Sequence, residues 1–182
     1  TFRSELQIWF LINKNYSLTH KANCFVGFFN TNMMTFKEQI IAQYVQRIQD
    51  KIDAFQDMIA ALTEDSKNDS KGSAGDKHET ALSMMHIEQE KLNYKLKEYL
   101  IENQLFSQID FSKKSAKVIL GSLVQANDNY FLVAVALPKI MVQGATVFGI
   151  SPESPLAQKL LGNEVGHSFK INTVDYLVNG IL

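Results

Sequence analysis

Ile41, Val45, Ile48, Ile52, Phe55, Ile59 and Leu62 recur at alternating steps of four and three residues. That spacing is a heptad seam and predicts a helix from about residue 35 to 65 whose apolar line is buried by a partner helix. No Pro or Gly interrupts residues 34–71, and Gln43, Gln46, Arg47, Asp50, Lys51, Asp53 and Asp57 fall between the seam positions as a solvated side. Residues 64–75 are polar, contain Ser and Gly and hold no large apolar side chain, which predicts a loop. Helical character resumes near Asp76 and runs to about Gln104, with Ala81, Met85, Leu92, Leu96 and Tyr99 on one face and Met84, Ile87 and Leu100 alongside. Two helices of similar length joined by one polar loop predict an antiparallel coiled-coil hairpin. Its arm would be roughly 45 Å long, with the loop at the far tip.

Beyond residue 108 the pattern changes. Lys117–Val124, Tyr130–Ala136, Thr146–Ile150, Ser168–Asn172 and Tyr176–Ile181 are short β-rich runs. Between them Ser154–Leu161 reads as a short helix, with Pro155 in its first turn and Gly162 at its stop. The expectation is an α+β protein: a helical hairpin over residues 34–108, then a small antiparallel β domain with one short helix over 109–182. Residues 1–33 carry Phe2, Trp9, Phe10, Phe25, Phe28 and Phe29 without helical or strand periodicity. They read as a leader outside the native fold, with translation starting at Met33 or Met34.

Charge adds a second division. Residues 34–108 hold nine Lys/Arg against thirteen Asp/Glu, whereas residues 1–33 hold three against one. The net charge of the 182-residue chain is only -1, so no basic excess points to nucleic acid bound through the protein's own field. A single cysteine, Cys24, excludes a disulfide framework and a Cys-based zinc cluster. No apolar run reaches the roughly 18 residues of a membrane helix. These features predict a cytoplasmic protein with no membrane contact, and the chain is expected to be a monomer.

Catalytic signatures are few. The sequence contains no G-x-S-x-G, no P-loop, no H-E-x-x-H and no Gly-rich dinucleotide turn. His20, His78, His86 and His167 are scattered, and His86 with Glu90 reads as a solvated helical pair. One feature stands out by position. Asp76 and Glu79 lie three residues apart where the loop enters the second helix. At that spacing both carboxylates share a helix face and can approach one hard cation such as Mg²⁺. The same Asp-x-x-Glu pattern is also a capping box, and both roles stay open.

The arrangement and its residues together resemble the Gre-type (GreA/GreB) bacterial transcript cleavage factors. The family tip carries Gly-Asp-x-x-Glu-Asn-Ala-Glu-Tyr. Here Gly75, Asp76, Glu79 and Ala81 match, while Thr80, Leu82 and Ser83 stand where the family has Asn, Glu and Tyr. A second stretch, Ile150-Ser151-Pro152-Glu153-Ser154-Pro155-Leu156-Ala157 through Gly162, is similar to the family's Asn-Ser-Pro-Ile-Ala-x-x-Leu-Ile-Gly segment. Val165-Gly166, the strand around Phe169–Asn172, and Gly121-Ser122 extend the likeness, which covers about residues 34–182.

The resemblance implies a coiled-coil hairpin followed by an FKBP-like globular domain. It also implies a factor that is not itself an enzyme. Such a protein binds RNA polymerase, passes its arm through the secondary channel and stimulates cleavage of backtracked nascent RNA, meeting the RNA 3′ end only inside that complex. Asp76 and Glu79 would hold Mg²⁺ jointly with the polymerase, and Ser154 and Pro155 would contact it during docking. Three other readings stay open: a channel-occupying regulator without cleavage activity, a peptidyl-prolyl isomerase or chaperone, and a plain coiled-coil scaffold.

Overall fold

The computed structural model describes residues 34–69 and 75–182, and within these the side chains of 68, 69, 75–79, 81 and 82 are not described. The expected leader, residues 1–33, lies outside the described residues. In chain order the elements are α1 (Phe36–Asp69), α2 (Gly75–Ser107), β1 (Leu123–Ala126), β2 (Asn129–Val133), β3 (Leu137–Val142), β4 (Ala145–Ile150), α3 (Pro155–Leu160), β5 (Ser168–Ile171) and β6 (Val174–Ile181). The protein is α+β: two long helices followed by a six-stranded sheet ordered β3-β4-β2-β1-β6-β5.

Helix α1 starts on a reciprocal cap. The Thr35 amide donates to the Glu38 carboxylate at 2.7 Å while the Glu38 amide donates to the Thr35 hydroxyl at 3.3 Å, so two otherwise unpaired N–H groups are satisfied. Helix α1 runs four residues past the expected end near 65, to Asp69. A polar run over 64–69 reads equally as loop or as solvated helix. No Pro or Gly breaks the helix before Gly72, and the Ser66 hydroxyl folds back to donate to the Thr63 carbonyl at 2.9 Å.

The two helices run in opposite directions. Rising positions on α1 meet falling positions on α2: Tyr44 faces Phe106 with ring centroids 6.4 Å apart, Phe55 stacks on Tyr99 at 5.5 Å, and Thr63 meets Gln89. Of the expected α1 seam, Ile41, Ile48 and Ile52 are buried, and Val45, Phe55, Ile59 and Leu62 are half-buried. On α2 the inward line is Met85, Gln89, Leu92, Leu96, Tyr99, Asn103 and Phe106, again in steps of four and three. Met84, Ile87 and Leu100, expected alongside that line, are instead exposed.

The base of the helix pair packs on the sheet. Ile40, Tyr44, Ile48, Phe106 and Phe111 share one apolar core with Leu123, Leu132, Ile140, Val142 and Val147. Alternate residues of the same strands, Val124, Phe131 and Val133, face the other way and form a second core with Val118, Val178 and the α3 residues Ala157 and Leu160. The sheet is thus sandwiched between the helix base and α3. Around the rim, the Lys37 ammonium donates to the Leu182 carbonyl at 3.0 Å and the Gln143 amide to the Gln39 side chain at 2.9 Å.

Three expectations need correction. The sheet is mixed, not wholly antiparallel, because β2 and β4 pair in parallel. The Gln143-Gly144 turn, with φ of 51° and 81°, folds β4 back between β3 and β2. Strand β3 is not among the β-rich runs expected from sequence, and its Pro138 is a residue that disfavours a strand interior. It survives at the sheet edge, where a missing N–H is tolerated, with its pairing irregular between Leu137 and Ile140. Finally, the run expected from Lys117 becomes a strand only at Leu123. Gly121, at φ 87°, turns the chain out of the extended path before that point.

Tyr44 offers a test of the shared core. Its hydroxyl donates to the Val147 carbonyl at 3.2 Å, and burial pushes its pKa up to about 12. A folded-state pKa above the unfolded one means that the neutral phenol stabilises the fold fully below pH ~10. That contribution is lost as pH rises toward about 12. Tyr44→Phe should therefore lose about 1 kcal/mol at neutral pH, the net value of a buried hydrogen bond. It should also show a shallower fall in stability above pH ~10 than the parent. Urea unfolding at pH 7 and pH 11 checks both.

Candidate functional site

The acidic pair sits on the second long helix. Helix α2 begins at Gly75, so Asp76 falls in its first turn and Glu79, the fifth residue, opens its second, while their side chains lie outside the described residues. Asp76 is thus the second helical residue and not the flanking cap position that the sequence pattern allows. An acid in a first turn is still favoured by the helix dipole. From Phe106, in the core at the helix base, to Asp76 is a helical path of roughly 45 Å at 1.5 Å per residue. Because α1 and α2 are antiparallel, the start of α2 lies at the end of the pair away from the sheet.

The pair is a partial ligand set. Two carboxylates are hard oxygen donors suited to Mg²⁺, but that ion fills an octahedron mostly with water and a few other oxygens. Among the described residues no group of three or more His, Cys, Asp or Glu is arranged to hold a metal ion. Two carboxylates by themselves leave most of such an octahedron to water and other oxygens.

Ser154 and Pro155 start α3, as the local sequence predicts. The Ser154 hydroxyl accepts from the Ala157 amide at 3.2 Å, its backbone is extended at φ -65° and ψ 146°, and Pro155 opens the helix. The serine side chain is committed to the cap. Pro155 is exposed, as are Glu153, Gln158 and Lys159 beside it. Hydrogen bonding from the Ser151 hydroxyl holds the Glu153 carboxyl below the usual carboxylate range, so this corner keeps a negative charge. The structure leaves this corner and the acidic turn at separate places in the fold: one on the sheet's outer layer, the other on the far end of the helix pair.

A feature the sequence reading missed lies at the root of the helix pair. A cleft of about 260 Å³ opens between α1, α2 and β3, lined by Tyr44, Arg47, Asp50, Lys51, Tyr99, Glu102 and Pro138 among others. Burial, with the neighbouring Glu98 adding to it, raises the Glu102 carboxyl above its ordinary value. Arg47, Asp50 and Lys51 look like plain solvated helix positions in sequence, and only the unforeseen strand β3 turns them into a wall. Among the described residues no helix is long and apolar enough to cross a membrane. No protein-family model matches the chain, and a search of curated proteins finds none that matches it.

Proposed function

We propose that the protein is a Gre-type transcription elongation factor: it binds RNA polymerase in the cytoplasm and stimulates cleavage of backtracked nascent RNA. On this reading α1 and α2 form the coiled-coil arm that reaches through the secondary channel, and the sheet with α3 is the FKBP-like docking domain. The observation that carries the proposal is the acidic pair in the first two turns of a 33-residue helix whose opposite end is locked into the sheet core. A lever anchored in that way can present two carboxylates about 35 Å beyond Tyr99, where the helix pair still touches the sheet core. Few functions need charge held so far from a folded core.

The division of labour follows from the donor count. Asp76 and Glu79 would hold Mg²⁺ together with ligands supplied by the polymerase. When bound, the ion offsets charge during phosphodiester hydrolysis. The chain's own residues bind and position: the two acids fix the cation at the tip, the inward line of α2 keeps the arm straight, and Pro155 with its exposed neighbours offers a contact for docking. The chain acts as a cofactor to another enzyme's active site. The nascent RNA 3′ end is met only within that complex.

Adding the protein to halted, backtracked bacterial elongation complexes should shorten the RNA from its 3′ end faster than polymerase alone. Asp76→Asn keeps the side chain's size and removes the charge, at a helix cost of no more than about 1 kcal/mol. It should lower the cleavage rate roughly tenfold or more, the scale of losing a metal-positioning group, with polymerase binding and helix content unchanged. Full cleavage by Asp76→Asn would reassign the acid to helix stability. Binding without any cleavage by the parent protein would favour the channel-occupying regulator, a reading supported by Thr80, Leu82 and Ser83 at the tip. Absence of polymerase binding would end both.

A further inference from the structure

Helix α2 carries a second apolar line that no other described residue covers. Met84, Ile87, Lys91, Tyr94, Glu98, Ile101 and Leu105 follow one another in steps of three and four residues. That line lies roughly 140° around the helix from the inward one at 100° per residue. Met84 is 69% exposed and Tyr94 64%, and Ile87, Ile101 and Leu105 are each about half exposed. A single exposed aliphatic residue is ordinary, but five on one stripe about 32 Å long mark a contact surface.

The order of residues along the stripe identifies the occupant. Read from either end it runs apolar, apolar, charged, Tyr, charged, apolar, apolar, and the two charges are opposite. Turn one copy end over end about a point beside Tyr94, and Met84 meets Leu105, Ile87 comes beside Ile101, Lys91 meets Glu98, and the two Tyr94 rings adjoin. A two-fold contact requires this: what residue i does to j, j does to i. A parallel alignment would instead set Lys91 on Lys91 and Glu98 on Glu98. In the single chain Lys91 pairs with Glu88 at 3.4 Å and Glu98 with Lys95 at 2.8 Å. These are exposed pairs of little strength, free to exchange for contacts across an interface.

We infer that the protein associates with a second copy of itself through the outer stripe of α2, antiparallel, with Lys91 of each copy against Glu98 of the other. This departs from the monomer expected from sequence and stands apart from the polymerase reading. An interface of two helices over about 32 Å is smaller than that of a standard stable complex, so the association falls in the micromolar range.

Sedimentation velocity on the full chain across micromolar concentrations should show the mass doubling. Lys91→Glu and Glu98→Lys should each weaken association at least tenfold, because each replaces two attractions with two repulsions across the axis. The double variant Lys91→Glu/Glu98→Lys should restore it. Lys91 is exposed and Glu98 half-buried, and circular dichroism checks that the helices remain. A chain monomeric at every concentration overturns the inference, and footprinting protection of Tyr94 in that monomer would assign the stripe to residues 1–33 instead. Association untouched by the single reversals, or not restored by the double one, also overturns it.

Discussion

Phe106→Ala is expected to lower the unfolding free energy by about 3–5 kcal/mol, the usual cost of emptying a fully buried phenylalanine site. Phe106 is 1% exposed, with its ring 4.9 Å from Phe111 and 6.4 Å from Tyr44. It stands where three parts of the chain meet: α1 through Tyr44, the α2–β1 connection through Phe111, and the sheet through the shared core. No neighbour can easily collapse into the space. The ring is packed between a helix and a sheet, and each is held by its own hydrogen-bond ladder. Because that core joins the helix pair to the strands, helix loss followed by circular dichroism and tyrosine fluorescence should shift together in a denaturant titration. Lys97→Ala, exposed on the same helix and off both of its apolar lines, serves as the control and should change stability by less than about 0.5 kcal/mol. A loss near 1 kcal/mol for Phe106→Ala would show that the arm and the sheet are held together elsewhere.

What the sequence discloses here depends on whether a residue's own type reveals its surroundings. The line from Ile41 to Leu62 is legible because every member is apolar and the period is regular. The matching line on α2 is blurred, since Gln89 and Asn103 occupy inward positions and are half-buried there. A polar residue facing a partner helix looks like a solvated one until the hydrogen bond from Gln89 to Thr63 is known. Ile40 and Tyr44 are fully buried although they lie off the seam. Their burial comes from the sheet, and a heptad count has no term for a third layer. Strand β3 is hidden by Pro138, whose tolerance at an edge depends on strand order. In the small domain the start of α3 is legible because Ser154 and Pro155 act within three residues of themselves. For the candidate site, sequence spacing places Asp76 and Glu79 on one helix face, and the fold adds the distance from the core. Met84 and Ile87, which belong to the outer stripe of α2, read in sequence as a flank of the inward line, since a wheel with apolar residues on both sides gives no clear direction.

Gly121→Ala is the second large effect expected, and it separates backbone strain from steric exclusion. At φ 87° Gly121 occupies a conformation costly for any residue with a Cβ, by about 1–2 kcal/mol. An added Cβ would also lie 2.9 Å from the Asp110 carbonyl oxygen and 3.0 Å from Ile109 Cγ2. The carbonyl is main chain and has little room to retreat. The turn that carries it is held by the Asp110 carboxylate, which accepts from the Ser112 amide at 3.0 Å and hydroxyl at 2.6 Å. On the other side the Gly121 amide donates to the Val133 carbonyl at 2.7 Å, fixing the glycine to β2. The end of α2 and the start of the sheet are thus pressed together at a point where only hydrogen fits. Overpacking of this kind adds about 1–3 kcal/mol, for a combined loss of roughly 3 kcal/mol. Gly144 is the comparison: its φ is 81°, yet nothing lies within 4 Å of its would-be Cβ. Gly144→Ala should therefore lose only the strain, about 1–2 kcal/mol. The difference between the two variants, read from urea midpoints at constant slope, measures the close approach itself. Equal losses would mean that the junction yields, and that the arm is joined to the sheet less tightly than its geometry implies.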